Sequence, residues 1–117
     1  MQITPQQLKQ KMQNKENFLL LDVRSSAEYA GWSIEGSVNI PLQMLTIKLD
    51  DIPNDKEIIT ICAHGMRSAR ATEILSSLGY NAKTVFGGMA AWNTVYDLVP
   101  IIEKADFSLH QIKRVGK

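Results

Sequence analysis

Cys62-Ala63-His64-Gly65-Met66-Arg67-Ser68 is the stretch of this chain best equipped for chemistry. It follows Glu57-Ile58-Ile59-Thr60-Ile61-Cys62, the most strand-like run, in which β-branched residues dominate. It precedes a helical pattern in which Ala71, Ile74, Leu75 and Leu78 fall at i, i+3, i+4 and i+7. A strand-to-helix turn aims the free N–H groups and the positive dipole end of the next helix back into the turn, so an anion is favoured there. A cysteine thiolate is such an anion. Cys62 is therefore expected to have a lowered pKa, with Arg67 adding a charge that never deprotonates. Gly65 lets the backbone curl so that successive N–H groups converge on one point.

Each of these residues also has a plainer reading. A lone free cysteine more often packs as a small hydrophobe; Gly65, Arg67 and the helix start beside Cys62 favour the reactive thiol instead. His64 either polarises a bound group or faces solvent while its backbone N–H does the work. Asp22 ends an apolar run and either tunes the neighbouring loop or, more ordinarily, pairs with Arg24 or caps a nearby turn. Arg24 and Glu28, four apart, are expected to form a local ion pair. Arg70 and Glu73 read as a solvated helix face, and Met89 and Trp92 as core.

The elements that must hold the loop can be read in order. Thr4-Pro5-Gln6-Gln7 carries a cap, a proline at the first helical position and a capping-box glutamine, so a short helix to about Met12 is expected. Phe18 to Val23 reads as a strand covered on both faces. Ser25-Ser26-Ala27-Glu28 repeats the cap-and-acid pattern and starts a brief helix near Glu28 to Ala30. Ser37 to Ile40 is a minimal strand closed by Pro41. Leu42, Leu45 and Leu49 predict a second short amphipathic helix. After the helix that stops at Gly79, Lys83 to Phe86 is another strand, Gly87-Gly88 a turn, and Met89 to Tyr96 a helix with Met89, Trp92 and Tyr96 on one face. Strands alternating with helices in this way predict an α/β domain with a mainly parallel sheet.

Composition narrows the function. The chain has 117 residues, 13 Lys+Arg against 12 Asp+Glu, and one cysteine. A net charge of +1 lacks the electrostatic footprint of a nucleic-acid binder. One cysteine excludes an internal disulfide, a zinc site of several thiolates and a four-cysteine iron–sulfur cluster. The amino terminus is polar where an export signal turns apolar, and Phe18-Leu19-Leu20-Leu21 stops at Asp22, so no membrane span is expected and the protein is expected to be cytoplasmic.

Taken together, Leu21-Asp22-Val23-Arg24, Glu28-Tyr29, Ile34-Glu35-Gly36-Ser37-Val38-Asn39-Ile40-Pro41, the Cys62 to Ser68 loop, Leu78-Gly79-Tyr80 and Gly87-Gly88-Met89 with Trp92 resemble, in order, the rhodanese-like domain. The resemblance covers about residues 4 to 97. It implies a five-stranded, mainly parallel sheet flanked by helices on both faces, and a single-domain sulfurtransferase of the thiosulfate-using type that needs no cofactor. Mapped residue by residue, Cys62 would carry the sulfur as a persulfide. Ala63, His64, Gly65, Met66 and Arg67 would form the cradle, with Arg67 orienting an anionic donor and Asp22 and Ser68 in support. The implied partners are a small sulfur donor, a thiol or cyanide acceptor and, as a further candidate, a protein in a sulfur relay.

Two other functions compete. Cysteine-dependent phosphatases and arsenate reductases use a related loop one residue longer, Cys-x5-Arg, whereas four residues separate Cys62 from Arg67. A non-catalytic binding or regulatory module of the same family typically lacks the cysteine that this chain keeps. The domain is expected over residues 1–100. Residues 101–117, with Ile102, Ala105, Leu109 and Ile112 at helical spacing and a basic last turn, read as a carboxy-terminal helical extension or tail.

Overall fold

The computed structural model describes residues 1–94. Five strands form one sheet in the spatial order β1-β5-β4-β2-β3, and every neighbouring pair is parallel. They are β1 (Gln2–Ile3), β2 (Phe18–Asp22), β3 (Val38–Asn39), β4 (Glu57–Ile61) and β5 (Ala82–Val85). Three helices, α1 (Pro5–Gln13), α2 (Ser26–Gly31) and α3 (Met66–Ser77), fall between them, and α4 occupies 88–94.

Alternation along the central strands sends side chains to two separate cores. On one face Leu21, Val23, Ile58 and Cys62 pack with Leu45, Ile52, Ala71 and Leu75. On the other Leu20, Ile59, Ile61 and Val85 pack with Leu8 of α1, Ile34, and Met89 and Trp92 of α4. This is the expected α/β architecture with helices on both faces, and it explains why β2 and β4 carry continuous apolar runs.

The caps form as the sequence predicts. Thr4 with Gln7 and Ser25 with Glu28 both close reciprocal capping boxes. The leucine stripe beginning at Leu42 does not make a continuous amphipathic helix. It forms two 3₁₀ turns, Leu42–Met44 and Leu49–Asp51. Of the three leucines only Leu45 is fully buried, and Ile47 is exposed, so little packing offsets the cost of fixing a helix there. β1 was not anticipated: two residues give no period, and it exists because the open edge of β5 accepts it in register, Gln2 beside Thr84.

The predicted position of Tyr96 and the stripe from Ile102 to Ile112 lie outside the described residues. Among the described residues no helix is long and apolar enough to cross a membrane.

The strand order places the loop. The chain leaves β2 towards β3 on one side and leaves β4 towards β5 on the other. Between the carboxyl ends of β2 and β4 the connections diverge, and such a switch point opens a crevice. Cys62 stands on one side of it and Asp22 to Arg24 on the other.

Candidate active site

Gly65, at φ 110°, is the residue before α3 and brings no side-chain cap. The free N–H groups of the first turn are met by sulfur instead. Cys62 Sγ accepts from the backbone N–H of Gly65 at 3.1 Å and of Ser68 at 3.3 Å. Ser68 is the third residue of the helix, so Sγ occupies the place a serine or aspartate oxygen takes in an ordinary cap. The Ser68 hydroxyl lies 3.4 Å from the same sulfur. Burial pushes the thiol pKa up, but the Ser68 hydroxyl and the N–H groups of Ser68, Gly65 and His64 outweigh it, and the net shift is downward.

Behind the sulfur lies a group of buried hydroxyls. Ser68 Oγ is 2.7 Å from Thr84 Oγ1 on β5, and Thr60 Oγ1 on β4 is 2.8 Å from Thr72 Oγ1 on α3. Thr60 also donates to the Ser68 carbonyl at 3.0 Å. These contacts seat the first two turns of α3 on β4 and β5 through paired polar groups, which is how hydroxyls are accommodated in a core.

The loop is held from its other side by α4. Met89 N–H donates to the Cys62 carbonyl at 2.8 Å and Ala90 N–H to the Ala63 carbonyl at 3.1 Å. Gly87 and Gly88 both adopt positive φ, and a Cβ on Gly88 would stand 2.4 Å from the Cys62 carbonyl oxygen. Only a hydrogen fits between helix and loop. The sequence marks this pair as a turn; its function is to let α4 donate to the backbone of the loop.

Arg67 is engaged by a carboxylate. Its Nη1 and Nη2 donate to Glu28 Oε1 and Oε2 at 2.7 and 3.0 Å. Glu28 Oε1 also accepts from Ser25 N–H at 2.9 Å, so one side chain closes the α2 cap and holds the loop arginine. The expected ion pair between Arg24 and Glu28 does not form. Arg24 turns back to Asp22, with Nη2 and Nε donating to Oδ2 at 2.8 and 3.1 Å, and Nη2 also reaches the Trp32 carbonyl at 2.7 Å. Asp22 and Arg24 are both buried, and a buried carboxylate needs a charged partner close by, which outcompetes a half-exposed one a helical turn away. Arg70 and Glu73 lie on the solvated helix face expected of them, where they also pair at 3.3 Å.

The Arg67 guanidinium holds the Glu28 carboxyl down at about 2, below the ordinary 4.5, with the Ser25 N–H helping. A carboxylate whose folded pKa lies below its unfolded one stabilises the fold above the unfolded value, and that contribution disappears as pH falls through the folded value. Wild type is therefore expected to lose more stability than Glu28→Gln on going from pH 5 to pH 2.5, by about 1 kcal/mol or less because the pair is over one third exposed. Urea midpoints of the two proteins check this. Parallel losses would show that Glu28 titration lies outside the folding balance.

The structure thus brings Cys62, Ala63, His64, Gly65, Met66, Arg67 and Ser68 into one turn, with Asp22 across the crevice. Met66 and Arg67 are already helical and belong to the first turn of α3. Met66 is 85% exposed and Phe86 59%, so two apolar side chains stand out at this end of the sheet, while His64 is exposed. Sequence reasoning missed three contributors: Glu28 as the partner of Arg67, Gly88 as the spacer, and Thr84 beneath Ser68. Gly88 left a signal in the paired glycines. A threonine in a short strand leaves none.

Residues 4–94 match the family model described as the rhodanese-like domain. A sulfurtransferase of Allochromatium vinosum is 32% identical over 92 residues, covering 78% of this chain and 86% of that protein. The adenylyltransferase and sulfurtransferase MOCS3 of Arabidopsis thaliana is 31% identical over 107 residues, covering 77% of this chain and 23% of that longer protein. Among solved structures, the crystal structure of a rhodanese-related protein from Thermoplasma volcanium matches with a TM-score of 0.74 at 38% identity, covering 80% of this chain and 91% of that one.

Proposed function

The chain belongs to the rhodanese-like domain family, and from that premise we propose that it is a sulfurtransferase that carries sulfur on Cys62. The observation that carries this reading is the reception of one sulfur atom by two backbone N–H groups and a hydroxyl, at the switch point of a parallel sheet.

In the first half-reaction the Cys62 thiolate attacks the outer sulfur of thiosulfate. The new S–S bond forms as the old one breaks, sulfite leaves with the bonding pair, and Cys62 is left as a persulfide anion. In the second, cyanide or a thiolate attacks the terminal sulfur, and thiocyanate or an acceptor persulfide departs while Cys62 returns to thiolate. Both resting states are anions. Donors fixed before the reaction stabilise them without reorganisation, which is the advantage of building the site from backbone N–H groups.

Ala63, His64, Gly65, Met66 and Arg67 form the cradle in this reading, and Ser68 supports the sulfur. Asp22 acts at a distance by holding Arg24 on the opposite side of the crevice. The charge of Arg67 is balanced by Glu28, so a donor anion is oriented mainly by the N–H groups. The same balance argues against a phosphatase, because a phosphate dianion would meet the Glu28 carboxylate beside the arginine. Cys62 is the one cysteine of these 117 residues, so the accepting nucleophile is not a second thiol among them. A Bacillus subtilis relative described as a putative sulfur carrier protein supports a protein relay partner among the acceptors.

Intact-mass measurement after incubation with thiosulfate tests the reading. The wild type is expected to gain one sulfur atom, which cyanide then removes. No gain from thiosulfate, a polysulfide or a small persulfide would discard sulfur transfer; gain from the latter two alone would replace thiosulfate as the donor.

A further inference from the structure

Ser68 makes more contacts than its single hydrogen can serve, and counting donors shows what decides its direction. Its Oγ is 3.4 Å from Cys62 Sγ, 3.3 Å from the Gly65 carbonyl and 2.7 Å from Thr84 Oγ1. A hydroxyl donates once and accepts twice. While Cys62 is a thiol, its S–H can donate to Ser68 Oγ, and the Ser68 hydrogen is left for the Gly65 carbonyl or for Thr84.

An anionic sulfur reverses the requirement. It has no hydrogen to give, so Ser68 must donate to it. Withdrawal from Gly65 leaves nothing unpaired, because the Gly65 carbonyl already accepts from Ala69 N–H at 3.0 Å. The short contact to Thr84 then has one assignment, with Thr84 donating to Ser68 Oγ. That donation both fixes the Ser68 hydrogen towards sulfur and polarises its O–H bond.

We propose that Thr84 is a positioning residue, whose hydroxyl acts through Ser68 to turn the Ser68 hydrogen onto the sulfur whenever Cys62 is a thiolate. It touches neither sulfur nor substrate. The inference rests on the reading of Cys62 as the sulfur carrier and adds a residue of the following strand, 16 positions beyond Ser68, to the support of that atom. The geometry suits the task. Thr84 is buried, lies on the strand next to β4, and is fixed by register opposite Thr60, so its hydroxyl is held beneath the first turn of α3.

The test is the pH profile of Cys62 alkylation by iodoacetamide, a neutral probe that Arg67 does not steer. The charged and titratable groups around the sulfur are His64 in the loop, Arg67 on α3 with Glu28 on α2, and Asp22 with Arg24 after β2. Around Thr84 they are Lys83 on β5, Glu73 on α3 and the terminal amine near β1. All are kept in every variant. Thr84→Val is expected to move the alkylation profile up by about half a pH unit, the worth of part of one hydrogen bond, and Thr84→Ser to restore it. In a Ser68→Ala background Thr84→Val should move the profile no further.

An unmoved profile in Thr84→Val, an equal shift in Thr84→Ser, or a full further shift in the Ser68→Ala background would each overturn the proposal. Thr84→Ala serves as a second hydroxyl-free variant should the valine fold poorly, and thermal melts confirm that each profile belongs to folded protein. Alkylation needs no sulfur donor, so failure here is separate from failure of the wild type to gain sulfur from any donor.

Discussion

Cys62→Ser is expected to abolish sulfur loading while leaving the domain folded. Substitution retains the shape of the site, and an oxygen in place of Sγ can still accept from Gly65 and Ser68 N–H. Stability is therefore expected to stay within about 1 kcal/mol of wild type. Chemistry is lost for two reasons. A serine hydroxyl becomes a nucleophile only with a base to take its proton, and the groups hydrogen-bonded to Sγ, two N–H donors and the Ser68 hydroxyl that accepts from it, include no such base. A thiol needs no such base once its pKa is lowered. Moreover, no stable oxygen analogue of the persulfide would follow attack. Mass spectrometry after thiosulfate treatment should show no added sulfur, with a melting curve close to wild type. Sulfur retained by the folded serine variant would place the carrier elsewhere.

Gly88→Ala is expected to damage fold and site together. At φ 62° the alanine pays the left-handed penalty, roughly 1–2 kcal/mol. Its Cβ would also lie 2.4 Å from the Cys62 carbonyl oxygen and 2.8 Å from the Ala63 carbonyl carbon and oxygen, all backbone atoms. Something must move, at a further cost of roughly 1–3 kcal/mol. The movement that relieves these contacts separates α4 from the loop, breaking the bonds from Met89 and Ala90 that hold the carbonyls of Cys62 and Ala63. A loss of about 3 kcal/mol in all should lower Tm by more than about 10 °C. Sulfur loading of the protein that remains folded should fall at least about tenfold, since misplacement near 1 Å has effects of that order or larger.

Gly79→Ala is the matched control. Gly79 also has positive φ, 94°, but a Cβ there meets nothing within 4 Å. It should carry the conformational cost alone and leave loading as in wild type. Equal loss of loading in both variants would show that the spacer role of Gly88 is wrong and that general destabilisation suffices.

Which parts of this arrangement the sequence displays follows from the range of the forces involved. Capping at Thr4 and Ser25 is a matter of three residues, and both boxes form as read. The buried strands announce themselves through β-branched runs, and the loop through a cysteine, a glycine and an arginine placed between strand and helix. Partner choice is different. Arg67 and Glu28 are 39 positions apart, and only the folded chain brings their side chains together. Arg24 faced two carboxylates, and burial decided between them. The leucines at 42, 45 and 49 had the right spacing for a helix but not enough core to cover them, which depends on what else the sheet face already holds.

The sulfur of Cys62 caps α3, the longest helix among the described residues at 12 residues. If Cys62 is the carrier, as proposed, turnover on that atom lengthens and shortens the helix's own end group in every cycle, while the strand behind it stays in register. Proposed catalyst and helix cap are then one atom. On that proposal the amide hydrogens of Gly65 and Ser68 are expected to gauge occupancy, since both point at the sulfur that a newly arrived one would join, at the opening turn of the helix.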